Sequence, residues 1–388
     1  MRKLKDHLKP WLLVLLILPI AGSLLLSQKE KTYEWIFIYY MSYDNDLSSF
    51  GQGILRDLQK GLVNSKVAVL TQMDFIDGKG MKRIALYRSF GRTKRKEISL
   101  KNEDSADPNQ LKKYFGWVRE NWKANNYCIV FLNHGGRLNS MCLDEKPFLD
   151  QSKNKQLASG KWLSATEAGK ILADFNRMVG YKVRLLFLQQ CGRAAIQNLY
   201  SFTDTAEYIM ASSVTVGAPN TYYTRAIKLV AEDPNITGTA IAKTIMQEDK
   251  DYTLYTLIEN SELKKLPEKI SPVIDSFAKN TTLKSPQTCT PIFEFEDEKF
   301  YDLKLYFQAL SSANNETAAK ELRDFFDWCD NHLIVSKAIK NPETSAASSY
   351  CGLSIYIPSD PNDIGRYDFL PLYRQMNLIK VLYPLVHQ

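Results

Sequence analysis

The most constraining stretch of this chain is Tyr181-Lys-Val-Arg-Leu-Leu-Phe-Leu-Gln-Gln-Cys191-Gly192-Arg193, an apolar run that ends abruptly at Gln189 and delivers a cysteine just beyond. Large and β-branched apolar residues in a short run bounded by glycine read as a buried strand. Gly192 reads as the turn, and Arg193-Ala-Ala-Ile-Gln-Asn-Leu-Tyr200 as the helix that follows. Chemistry in open α/β sheets gathers at the carboxyl ends of the strands, and a thiol at a helix N-terminus has its thiolate favoured. A free cysteine is also among the most buried residue types, so the rest of the chain has to distinguish a reactive thiol from a core one.

The flanking segments alternate between strand and helix. Glu34–Met41, Ser65–Met73, Tyr127–Leu132 and Ala206–Ser212 read as strands. Segments 83–89 and 95–100 read as a hairpin or meander, with helices at about 47–62, within 104–121 with a cap near Asp107-Pro108, and at 164–179, the last opened by the capping box Ser164-Ala-Thr-Glu167. Further helices are expected at 223–233, 237–248, 261–279 and 315–332, and a late strand at Gly352–Ile357. Near-continuous apolar strands separated by helices imply an α/β fold with a mostly parallel central sheet and helices on both faces. A polar stretch at 281–291 suggests the organisation 1–30 leader, 31–285 catalytic domain and 286–388 smaller C-terminal region packed on it.

The leader begins with a basic segment and continues into the apolar run 11–26, short of the roughly 20 residues of a spanning helix. It reads as a cleaved signal or a retained anchor, which places the body outside the cytoplasm, secreted or membrane-tethered. The six cysteines then raise the question of disulfides, but their spacing defines no pairing and no zinc site. A net charge of +7 over 388 residues, partly in the leader, gives no reason to expect a nucleic-acid partner. No dinucleotide fingerprint, Walker loop, nucleophile elbow or His-Glu-x-x-His is present, so no cofactor and no metal are expected. Gly51-Gln-Gly53 begins like a fingerprint, but Arg56 stands at its third glycine position.

Of the four histidines, His7 lies in the leader, His387 is penultimate and His332 falls on an amphipathic helix. His134 alone follows a buried strand, in Leu132-Asn-His-Gly-Gly136, as Cys191 follows its own. If the two strands are neighbours joined by the helix at 164–179, imidazole and thiol emerge at one sheet edge. The amides of Gly135 and Cys191 could then serve as oxyanion donors.

These motifs resemble the caspase-like cysteine peptidases, and within them the clostripain family. The resemblance is carried by Trp35–Leu47 with its Asp-Asn-Asp-Leu turn, by Leu132–Gly136, by Trp162–Glu167, by Cys191 and by Tyr350–Pro358. It implies a caspase-like three-layer sandwich, a His134–Cys191 dyad acting as an endopeptidase on peptide or protein substrates, and an Arg or Lys preference at P1. The family's Asp two positions before the cysteine is here Gln189, assigned to substrate binding, which points to a neutral or small P1 residue because a buried cation needs a carboxylate partner. Family members can be activated by cleavage between the histidine and the cysteine, where Lys146, Lys153, Lys155 and Lys161 fall. A monomer is expected. The competing readings are a catalytically inactive surface binding protein on the same scaffold and a structural domain in which Cys191 is buried.

Overall fold

The computed structural model describes residues 31–376 except 77–79, 101–103, 146–159, 279–288, 315–317, 342–344, 359 and 364. The leader and the expected boundary at 285/286 lie outside the described residues, as do Lys146, Lys153 and Lys155. The described residues from Tyr33 on form one compact unit, which holds the central sheet and the helices that cover it.

Strands β1 (Thr32–Tyr43), β2 (Val67–Phe75), β3 (Lys82–Ser89), β4 (Arg92–Ser99) and β5 (Lys123–Leu132) precede two short paired strands, β6 (Ser140–Asp144) and β7 (Lys161–Ser164). β8 (Val183–Gln189), β9 (Tyr208–Ala211), β10 (Leu254–Glu259), β11 (Phe293–Phe295), β12 (Glu298–Asp302), β13 (Ile334–Ile339) and β14 (Ser354–Tyr356) complete the series. Nine strands form the central sheet in the order β13-β10-β9-β8-β5-β1-β2-β3-β4. β1/β2, β5/β8 and β8/β9 pair in parallel, and the antiparallel pairs lie toward the two edges. β11, β12 and β14 form a small separate sheet.

Strand period 2 decides which core each side chain joins. On β1, Ile36, Ile38 and Tyr40 enter one apolar cluster, while Trp35, Phe37, Tyr39 and Met41 enter the other. β5 divides in the same way, Ile129 and Phe131 against Cys128, Val130 and Leu132. Helices cover both faces. α1 (Gly51–Gly61), α4 (Tyr223–Glu232) and α5 (Gly238–Glu248) pack on the second face. α2 (Pro108–Asn121), α3 (Ala165–Met178), α6 (Leu266–Ala278) and α8 (Ala318–Trp328) pack on the first, as does α7 (Leu303–Asn314) through Leu303, Phe307 and Leu310. This is the α/β layering that the apolar strand runs predict, and β13, from the last hundred residues, is an edge of the same sheet.

The caps fall where the side chains direct them. Asp107 caps α2 by accepting from Asn109 N with Pro108 in the first turn, and Ser164 caps α3 by accepting from Glu167 N at 3.3 Å. Among the described residues no helix is long and apolar enough to cross a membrane.

Candidate active site

α3 joins β5 to β8, and the parallel register pairs Leu132 with Gln189. His134 and Cys191 therefore each stand two residues beyond the last pair of adjacent strands. Their loops meet through backbone: a Cβ built on Gly135 would come within 1.9 Å of the Cys191 carbonyl oxygen, so only glycine permits this approach.

Cys191 is not at a helix N-terminus, contrary to the expectation from sequence. Gly192 takes φ +66 beneath the Phe293 ring, its N–H donates to Val214 O at 3.1 Å, and Ala194 N donates to Ser212 O at 2.8 Å. These bonds hold 191–194 as a turn against segment 212–216, and the helix is reduced to a single turn, Ile196–Leu199. Cys191 is partly exposed, and its Sγ accepts from Val216 N at 3.3 Å and faces Val216 O at 3.6 Å.

His134 is partly exposed and its Nε2 lies 2.7 Å from Asp46 Oδ1. An imidazole that donates from Nε2 to a carboxylate has Nδ1 as its basic nitrogen, so this contact selects the tautomer. Asp46 belongs to the turn after β1. Asn45 caps that turn by accepting from Leu47 N at 3.0 Å, and its Nδ2 donates to Asn133 Oδ1 at 3.0 Å and Leu143 O at 2.9 Å. Both asparagines are buried, so they fix the His134 loop to the ends of β1 and β6 in a low-dielectric setting where each bond counts.

A second tie crosses the site. The fully buried Arg193 donates to Gly136 O at 2.6 Å, Ser140 O at 2.7 Å and Cys191 O at 3.1 Å, with longer bonds to Arg137 O and Leu138 O. One guanidinium thus gathers the carbonyls of the histidine loop and of the cysteine turn. Desolvation lowers its pKa to about 10, against the pull of Glu298, so it stays charged at neutral pH.

Gln189 is buried beneath the site. Its Nε2 donates to Asn220 Oδ1 and to Tyr223 OH at 3.1 Å, and its Oε1 accepts from Tyr222 OH at 2.5 Å. Asn220 passes the chain of bonds on to Asp249 Oδ2 at 2.7 Å, which Tyr255 OH also reaches at 2.9 Å.

Behind the Asp46 turn, one carboxylate oxygen from each of Asp44, Asp74 and Asp144, all buried, lies within 4.8 Å of the others. Ser105 donates to Asp144 through N and Oγ, both at 2.9 Å. Burial first, then the neighbouring carboxylates, raises Asp74 to about 8, and burial raises Asp144 to about 7. None of the six cysteines forms a disulfide, and Cys128, Cys142, Cys329 and Cys351 are buried. Lys161 is paired with Asp104 at 2.5 Å.

A sequence profile of the clostripain family (Peptidase C11) matches residues 39–376. The chain belongs to the clostripain family. Clostripain-family relatives of known structure share the fold. An inactive zymogen C11 protease from Parabacteroides distasonis superposes with a TM-score of 0.66 at 16% identity, over 89% of this chain and 98% of that one. A secreted C11 cysteine protease from Bacteroides thetaiotaomicron, solved with an irreversible peptide inhibitor, gives 0.65 at 16% identity over 88% and 98%. No curated protein matches the chain. The clostripain family consists of cysteine peptidases, and membership makes this chain a hydrolase of that class.

Proposed function

We propose that this clostripain-family chain is an exported endopeptidase in which Cys191 is the nucleophile and His134 its proton partner. The observation that carries the reading is the Leu132–Gln189 register with Gly135 seated on the Cys191 carbonyl, which gives both side chains one substrate-facing edge. His134 Nδ1 takes the thiol proton while Asp46 holds Nε2. The thiolate attacks the scissile carbonyl carbon, and the amides of Gly135 and Cys191 face the oxygen as it gains charge. His134 returns the proton to the departing amine, leaving a thioester. A water gives its proton to His134, attacks that thioester and frees the acid and the thiol.

Gln189 acts in this reading as the support of the specificity pocket, since both ends of its amide are spent on Asn220, Tyr222 and Tyr223. The Gln189 amide brings no charge of its own to a P1 guanidinium or ammonium and suits a neutral P1 residue better, the Asp249 carboxylate being reached only through Asn220 and Tyr255. The leader at 1–30 serves export, either removed or kept as a tether.

The test is hydrolysis of a fluorogenic P1 library by wild type, Cys191→Ala and His134→Ala. Wild type should cleave neutral P1 peptides, and each variant should lose at least about a thousandfold in kcat/KM. A second reading, a binding protein without activity, is favoured by one contact, the Cys191 Sγ facing Val216 O, which suits a thiol that keeps its proton. It requires that wild type cleave nothing and that iodoacetamide spare Cys191 at pH 7.

A further inference from the structure

The rim opposite the candidate active site has a chemistry of its own. Trp35 pairs with Val67, Ala68 with Tyr87 and Tyr127 with Val183, while Asn126 Nδ2 donates to Glu34 O at 3.3 Å. The starts of β1, β2, β5 and β8 therefore share one rim with the β3–β4 turn, and His134 and Cys191 lie across the sheet, about 30 Å away at 3.3 Å per residue.

Six large apolar side chains are exposed among the described residues, and four of them, Val63, Phe90, Met178 and Tyr181, are on this rim. Val63 precedes β2, Phe90 is the tip of the β3–β4 hairpin, and Met178 and Tyr181 precede β8. Phe90 is 99% exposed and Tyr181 60% exposed. Both aromatics occupy left-handed backbone, Phe90 at φ +49 and Tyr181 at φ +58, where glycine or asparagine is less strained. The two-residue hairpin turn Phe90-Gly91 needs positive φ at both positions, and Asn-Gly is the ordinary solution. A bulky ring held in a strained position and packed on nothing offers the fold no gain, so its use lies outside the chain.

The charge on the rim is complementary to one kind of surface. Of its acidic groups, Glu120, Asp174 and Glu207 are paired with Arg119, Arg177 and Arg184 and Asp204 with Lys264, while Glu34 and Glu259 form no ion pair among the described residues. Lys66, Arg92 and Lys94 are exposed and form no ion pair among the described residues. Aromatic tips among unneutralised cations match the interface of an anionic bilayer, where rings settle at headgroup depth and each lysine or arginine meets lipid phosphate. β1 starts at this rim, and the apolar run 11–26 precedes it in the sequence. We propose that the rim is a membrane-contact surface that seats on anionic lipid through Phe90 and Tyr181 and turns the His134–Cys191 edge away from the bilayer. The proposal stands independently of peptidase activity.

The test places the photoreactive residue p-benzoyl-phenylalanine at Phe90, at Tyr181 and, on the opposite rim, at Ile76. The full chain is reconstituted in phosphatidylglycerol/phosphatidylethanolamine vesicles or in phosphatidylcholine vesicles, irradiated, and its adducts are identified by mass spectrometry. Lipid adducts are expected at 90 and 181 in the anionic vesicles at least fivefold above those at 76. They should fall severalfold in phosphatidylcholine, in 0.5 M salt and in the Lys66→Glu/Lys94→Glu background. Equal labelling at all three positions, no lipid adduct at 90, or adducts at 90 to a second copy of the protein would overturn the proposal.

Discussion

Removing the guanidinium of Arg193 while keeping its apolar stem, as in Arg193→Met, tests whether this side chain fastens the histidine loop to the cysteine turn. Its three shorter bonds, to Gly136 O, Ser140 O and Cys191 O, are charge-assisted and worth about 1.5–3 kcal/mol each, roughly 5–9 kcal/mol together. Against this stands relief from burying the charge. A pKa lowered from 12.5 to about 10 corresponds to about 3 kcal/mol. The difference, about 2–6 kcal/mol, is the expected destabilisation, with carbonyls left unsatisfied in a buried site. Urea denaturation should show the midpoint falling with an unchanged slope, and Arg193→Lys should lie between the two because an ammonium cannot reach carbonyls on both loops. Peptide hydrolysis should fall further than stability accounts for, measured at a urea concentration where the variant is still folded. An Arg193→Met protein within about 0.5 kcal/mol of wild type and equally active would refute the argument.

Three further outcomes are expected from the same geometry. Gly135→Ala should lose at least about a hundredfold in kcat/KM while Gly116→Ala, at a position with open space, does not, because the new methyl group meets the Cys191 carbonyl at 1.9 Å. Asp46→Asn should lower kcat/KM about tenfold with little change in KM, since an amide can present its NH2 to Nε2 and favour the wrong tautomer, and Asp46→Glu should recover part of the loss. Asp74, raised from 3.8 to about 8, keeps in the folded state a proton that the unfolded chain releases. Its contribution is therefore complete below pH 4 and lost as pH rises through 8. Asp144, raised to about 7, acts with the same sign. Thermal stability should fall between pH 5 and 8 by up to about 1.4 kcal/mol per pH unit per proton, and Asp74→Asn should flatten the slope, whereas a wild type insensitive to pH over this range would exclude the shift.

The layered sheet was legible because its strands are buried on both faces: Tyr127–Leu132 and Val183–Gln189 read as apolar runs whichever core each residue joins. The helix caps at Asp107 and Ser164 were legible because capping is local chemistry. The segment after Cys191 misleads for the opposite reason. Arg193-Ala-Ala-Ile has ample helix propensity, but its backbone is claimed by Ser212 and Val214, residues twenty positions away in sequence, and tertiary bonds override propensity. The roles of Arg193 and of the Asn45–Asn133 pair were hidden because a buried polar side chain is recognised only by the distant carbonyls it satisfies. Asp46 came nearer to being found. The Asp-Asn-Asp turn follows an apolar strand in the sequence, and that signal could have pointed to a carboxylate beside an imidazole at the same sheet edge.

β6 and β7 have a consequence for the chain between the two catalytic candidates. They pair antiparallel, Ser140 with Ser164 and Asp144 with Lys161, so both ends of the intervening stretch stand on hydrogen-bonded neighbours. A break anywhere within 146–159 would put His134 on one polypeptide and Cys191 on the other. β5, β6 and the strands before them would belong to the first fragment, and β7, β8 and all later strands to the second. The fragments would remain joined along the β5–β8 and β6–β7 seams and through the five carbonyls that Arg193, on one fragment, gathers from both. Such a protein runs as two bands once denatured and as one particle before, and its site survives because noncovalent seams, not the peptide chain, hold its halves in register.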